Sequence, residues 1–230
     1  MYLNNLIQRS NKYIFQYPEA VTYLEGRGIT QEDILKYSLG FTKYVSLSDD
    51  GSEDYQFLAK KTAGFQMLQG KLIIPCKNLL GHVNGLVVRD IYKKEYRQYF
   101  LDEAKKLGTF FGLYEAFPEI LRTGKVFIHE AALDSISFAK AFPNSVSVLT
   151  SFINEVQYET LSMLADKIIM VFDEDSAGSK GRDQVYNLYG RKHLSDISIG
   201  YNDSNAILKR LGQESFKKYI WNRVPILLRE

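Results

Sequence analysis

Residues Lys167 to Gly181 read KIIMVFDEDSAGSKG, and this stretch decides the fold. After Lys167 the run IIMVF is apolar without a break, as in a strand covered on both faces inside a parallel sheet. The segment GSKGRDQVYNLYG at 178–190 then takes a helical period. Working outward, the same alternation recurs on both sides. KVFIHE (125–130) is a short apolar run, followed by AALDSISFAKAF (131–142) with helical spacing. SVSVLTS (145–151) precedes the helical NEVQYETLSML (154–164), and LSDISIG (194–200) precedes SNAILKRLGQESFKKYI (204–220), read as one last helix. Strands alternating with helices predict crossover units and a small parallel sheet of about four strands flanked by helices, an α/β fold.

In such sheets ligands bind beyond the carboxyl ends of the strands. Glu130 ends the first run, Asp173 and Asp175 follow the third, and Asp203 follows the fourth after a short turn. Asp134 lies one helical turn beyond Glu130 and can face the same place. Carboxylates gathered at one edge repel each other, and a divalent cation among them relieves the repulsion. Oxygen donors without His or Cys favour Mg²⁺ or Mn²⁺. The competing reading of an Asp-Glu-Asp after a strand is a helix N-cap with solvated acids. Glu174, between the two aspartates, is expected to point away to the surface.

Upstream of the alternation the pattern is mixed α and β. Helical spacing at Ala20, Val21 and Leu24 stops at Gly26 and Gly28. Thr30 with Asp33 three residues on predicts a capped second helix ending at Gly40. Residues 46–55, SLSDDGSEDY, read as a loop. LIIPC and GLVVR flank the turn-rich NLLGHVNG and predict an antiparallel pair. KKEYRQYF (93–100) reads either as a charged edge strand or as a nucleic-acid contact.

Composition narrows the classes. The 230 residues are 45% hydrophobic and 24% charged with a net charge of +2, as in an ordinary soluble domain, and a cytoplasmic location is expected. No apolar run reaches membrane-span length, so no membrane partner is expected. One cysteine, Cys76, and three scattered histidines lack the spacing of a structural zinc site, so no zinc is expected.

These segments together resemble a known family. VFIHEAALDSISFAKAF resembles the first motif of the Toprim domain, a strand ending in Glu before a helix that carries an Asp. IIMVFDEDSAGSKG resembles its second, and FDEDSAG fits the F-D-x-D-x-A-G form of DnaG-type bacterial primases. YLEGRGITQEDILKYSLGFT, GKLIIPCKNLLGHVNGLVVR and AKKLGTFFGLYEA are similar to upstream segments of the primase core, so the resemblance runs from about Tyr23 to Lys218. The departures are Ala131, where the family usually has Gly, and Asp203-Ser204-Asn205, where it has Asp-Pro-Asp. A zinc-binding module before the core and a helicase-binding region after it are expected to be missing.

The resemblance implies a primase core that makes RNA primers on single-stranded DNA from ribonucleoside triphosphates. Glu130, Asp173 and Asp175 would be catalytic. Those three with Asp134 and Asp203 would bind Mg²⁺ or Mn²⁺. Lys71, Arg89, Lys106 and Arg97 would contact template or nucleotide. A replicative helicase or a separate zinc-bearing subunit is the implied partner, and so small a core fits a phage or mobile element. A Toprim nuclease and a non-catalytic replisome subunit are the alternatives. The expected division is an N-terminal core subdomain at 1–120, a Toprim subdomain at 121–215 and a C-terminal helix or tail at 216–230.

Overall fold

The structure, a computed structural model, describes residues 2–43, 53–64, 66–93, 95–101, 106–200 and 203–229. The chain forms two compact units, Met1–Thr109 and Phe110–Glu230.

The first unit is built on an antiparallel sheet. Helix α1 (Tyr2–Tyr13) leads to α2 (Pro18–Glu25), which starts on Pro18, a residue suited to a first helical turn. Helix α3 (Gln31–Lys36) follows, and its start is a full capping box. Thr30 Oγ1 accepts from the Asp33 N–H, and Asp33 accepts from the Thr30 N–H at 2.7 Å. The expected end at Gly40 is wrong. The helix stops at Lys36, Ser38 turns the chain at φ 53°, and Gly40–Thr42 is strand β1. Residues 53–55, expected in a loop, lie in helix α4 (Glu53–Lys61), while residues 46–52 of that loop fall outside the described residues. Strands β2 (Lys71–Lys77) and β3 (Val83–Asp90) form the expected antiparallel pair, and β4 (Tyr96–Phe100) is an edge strand. The order is β1-β2-β3-β4. Leu3, Leu6 and Ile7 of α1 and Leu58 of α4 pack with Ile73, Leu86 and Val88 on one sheet face.

The second unit contains the parallel sheet. Helix α5 (Leu113–Thr123) leads to β5 (Lys125–His129), then α6 (Ala132–Ala139), β6 (Ser145–Ser147), α7 (Glu155–Leu164), β7 (Lys167–Met170), α8 (Ser176–Tyr189) and β8 (Leu194–Asp196). All four strands are parallel, in the order β6-β5-β7-β8, with β5 and β7 inside. The third and fourth apolar runs thus yield shorter strands than their length suggests. Phe127 and Ile169, paired in register, lie in a cluster with Phe138, Ile207, Phe216 and Ile220. The alternate residues Val126, Ile128, Ile168 and Met170 are fully buried as well, so both sheet faces are covered. Each such side chain contributes about 1.5–3 kcal/mol by leaving water.

The last expected helix is two. Helix α9 (Ser204–Leu211) and helix α10 (Gln213–Arg223) are separated by Gly212 at φ 71°, a backbone state no helix interior can hold. Helix α11 (Ile226–Arg229) ends the described chain. Among the described residues, no helix is long and apolar enough to cross a membrane.

Candidate functional site

The chain leaves β5 toward β6 on one side and leaves β7 toward β8 on the other. The connections therefore diverge between β5 and β7, and a crevice opens at the carboxyl ends of those two strands. Glu130 directly follows β5, and Asp173 lies three residues beyond the end of β7. The Asp173 N–H donates to Glu130 Oε1 at 3.1 Å, joining the two strand ends.

Asp175 is the N-cap of α8, accepting from the N–H groups of Ala177 and Gly178, each at 2.9 Å. Asp203 caps α9 in the same way, accepting from the Ala206 N–H at 2.5 Å. The helix-cap alternative for the Asp-Glu-Asp segment thus holds at Asp175. Both helix starts also present positive dipole ends to the acids. Asp134 sits in the first turn of α6, accepts the Asn205 N–H at 2.9 Å and lies within hydrogen-bonding reach of Asp203.

Burial and mutual repulsion raise the pKa values in this group. Asp173 is pushed up to about 7, chiefly by burial and then by the charges of Glu130, Asp203 and Asp175. Asp134 is raised by burial first and the Asp203 charge second. Burial also raises Glu130. Such acids resist shared ionisation, and a divalent cation would let them ionise together. Their donor atoms are all oxygen, which fits Mg²⁺ or Mn²⁺. Among the described residues, no three Asp, Glu, His or Cys side chains stand close enough to make a ready ligand set. The five acids are therefore neighbours at one edge rather than an assembled shell.

Two residues of the site carried no expected role, although Gly178 closes the FDEDSAG motif. Arg182, seven positions beyond Asp175 on α8, donates from Nη1 to the carbonyls of Phe172 and Asp173, each at 3.2 Å. Its charge opposes the rise in the pKa values of Asp173 and Glu130. Gly178 is required by space. A Cβ there would stand 2.1 Å from the Asp173 carbonyl oxygen and 2.9 Å from Glu130 Oε1. Glu174 is exposed, as expected, yet it accepts the Gly200 N–H at 2.8 Å and bonds Ser198 Oγ. Asn205 is buried, with Nδ2 donating to Ser137 Oγ at 2.9 Å. His129 is buried at the end of β5 against the Phe138 ring, and burial lowers its pKa to about 3, so it stays neutral.

The basic residues of the first unit do not share one sheet face. Lys71 pairs across the strands with Asp90, and its ammonium bonds that carboxylate. Arg89 is the neighbouring residue along β3 and projects to the opposite face, where Nε donates to Tyr23 Oη at 2.7 Å. Arg97, opposite Val88, lies on the Lys71 face and is exposed. Lys106 is exposed too.

An α/β unit with acids at the crevice of its central strands is the architecture of the Toprim class, and residues 127–208 match the Toprim-like family. The DNA primase of Thermotoga maritima is 27% identical over 228 residues, covering 89% of this chain and 40% of that protein. Among solved structures, the DnaG catalytic core superposes with a TM-score of 0.77 at 18% identity, covering 96% of this chain and 79% of that one. The DnaG primase catalytic domain bound to single-stranded DNA gives a TM-score of 0.69 at 19% identity, with 95% and 77% coverage. The chain has the fold of a DnaG-type primase core with a Toprim-like segment inside it. It spans less than half the length of the curated relatives it matches.

Proposed function

We propose that this chain is the catalytic core of a primase, joining ribonucleotides on single-stranded DNA with Mg²⁺ or Mn²⁺. The observation that carries the proposal is the meeting of Glu130 and Asp173 at the crevice between β5 and β7, with the capped helix starts beside them. Priming requires the 3′-hydroxyl of one nucleotide to attack the α-phosphate of the next while pyrophosphate leaves. A bound divalent ion supplies charge neutralisation and activation of the hydroxyl.

The chain's own groups take the remaining roles. Asp173 and Asp175 hold the ion with Asp203 and Asp134 nearby, and Glu130 binds it too or receives the hydroxyl proton. Residues 1–120 serve as the template and nucleotide subdomain, 121–215 as the catalytic subdomain, and 216–230 as a C-terminal element. Within the first of these, the exposed Arg97 is a better phosphate contact than Lys71 or Arg89, which already bond Asp90 and Tyr23, and Lys106 is a further candidate. The single-stranded DNA on the related catalytic domain supports template binding here. A helicase or zinc-bearing subunit acts as partner at the replication fork.

The test is direct. The protein is incubated with single-stranded DNA, labelled ribonucleoside triphosphates and Mg²⁺ or Mn²⁺. Short oligomers that vanish with Asp173→Ala are expected. DNA degradation without synthesis would replace this reading with a Toprim nuclease. Inactivity with and without a helicase or zinc-bearing subunit would leave a non-catalytic replisome protein.

A further inference from the structure

The C-terminal helices carry a charge imbalance that the acid crevice does not use. Residues 209–229 hold Lys209, Arg210, Lys217, Lys218, Arg223 and Arg229 against the single acid Glu214, in a chain of net charge only +2. Phe216 and Ile220 anchor α10 in the core. Lys217, Lys218, Trp221 and Asn222 recur at helical spacing on its other side. With Lys140 and Ala141 they line a cavity of about 570 Å³.

The indole in this cavity is already held in place. Trp221 stacks on Phe142 with ring centroids 5.4 Å apart and planes 4° from parallel, and the Arg229 guanidinium lies 5.4 Å from its centroid. It nevertheless remains 46% exposed. Asp134 is in the first turn of α6 and Lys140 caps the other end of that helix. At 1.5 Å per residue the cavity lies about 9 Å along the helix from the acid edge.

We infer that this cavity is a second binding place for single-stranded nucleic acid, separate from the acid crevice. Lys217 bridges the exposed Glu214 at 3.4 Å, a surface pair worth little, so it and Lys218, one helical turn from a fixed aromatic, suit a phosphate backbone with a base beside it. The Asn222 amide offers both a donor and an acceptor to a base edge. A free anion has no use for the indole, and an acidic peptide has none for the flat aromatic beside the amide. The inference goes beyond the proposed priming activity, since it concerns where a strand rests and not how it is copied.

Trp221 is the sole tryptophan of the chain, so its emission reports this cavity alone. The full chain is titrated with a short oligothymidylate at several salt concentrations. Saturable quenching that weakens steeply with salt is expected. In Lys217→Gln/Lys218→Gln the slope of log K against log salt should flatten by about 1.4, at roughly 0.7 for each single-strand phosphate that is no longer neutralised. An unchanged far-UV spectrum and emission maximum in the free variant establish that it folds. The inference is overturned if the oligonucleotide binds by anisotropy without touching Trp221 emission, or if the double substitution leaves both the affinity and the salt slope of the quenching unchanged. Quenching by a polyglutamate peptide or a mononucleotide, with none by the oligonucleotide, overturns it as well. Failure of priming is a separate result, because Asp173→Ala should abolish synthesis and leave the quenching intact.

Discussion

Gly178→Ala adds one methyl group in the first turn of a helix that walls the crevice, and it should be among the most damaging small changes in the second unit. In an unconstrained helix the same change would stabilise by about 1 kcal/mol, because glycine is a poor helix former. Here the added Cβ would lie 2.1 Å from the Asp173 carbonyl oxygen, a distance real Cβ atoms do not reach. The clash is with backbone, so rotation of a side chain cannot relieve it. The start of α8 must retreat by roughly an ångström from the end of β7 to restore an ordinary separation. That retreat strains the Asp175 cap, worth about 1 kcal/mol, and the Asp173 to Glu130 hydrogen bond, worth about another. Overpacking adds about 1–3 kcal/mol. Net of the propensity gain, the loss is about 2–4 kcal/mol. Urea unfolding followed by Trp221 emission reads the second unit directly, and an m-value near 2 kcal/mol/M turns this into a midpoint shift of about 1–2 M. Ser179→Ala, one residue on and exposed, is the control and should move by no more than about 0.5 kcal/mol. An unchanged or raised midpoint in Gly178→Ala would refute the close-approach argument and with it the fixed spacing of Glu130 and Asp173.

Other expectations concern sites spread over both units. The Asp90 carboxyl is held below its ordinary value by the Lys71 hydrogen bond, against the opposing effect of burial. Its stabilisation should therefore be complete above about pH 4, the unfolded value, and vanish as pH falls through the lower folded value. Asp90→Asn should lower the urea midpoint at pH 7 and converge with the parent protein near about pH 2. Asn205→Asp would bury a charge beside Asp134 and Ser137 in place of a satisfied amide, and differential unfolding in metal-free buffer should read a loss of about 1–3 kcal/mol. Thr30→Ala removes the capping box of α3 and should cost about 1 kcal/mol in equilibrium unfolding of the first unit.

The apolar runs from Lys125 onward made the parallel sheet legible, because buried strands and amphipathic helices have different periods. Acids at strand ends were legible for the same reason, since the alternation fixes which end of each strand is which. The break at Gly212 was not. Ile207, Leu208, Phe216 and Ile220 all face the core, and one glycine within an apolar helical pattern costs too little to contradict it. Strand β1 was hidden because three residues hold no periodicity, and its pairing with β2 comes from the tertiary fold. Arg182 belongs to no motif of its own. Seven residues from Asp175 is nearly two helical turns, and that spacing was the available signal. The separation of Lys71 from Arg89 depends on strand register, which no local pattern encodes.

Asp175 and Asp203 each begin a helix with the same carboxylate that faces the acid edge. A carboxylate with that duty is pinned by peptide N–H groups whatever else arrives. The pocket's outline is then a property of the folded chain, independent of its mineral content. Chelation should leave the melting temperature close to where it was, in contrast to a zinc ribbon, which collapses when stripped. Any ion that the acids accept would then be a visitor to a scaffold already formed without it.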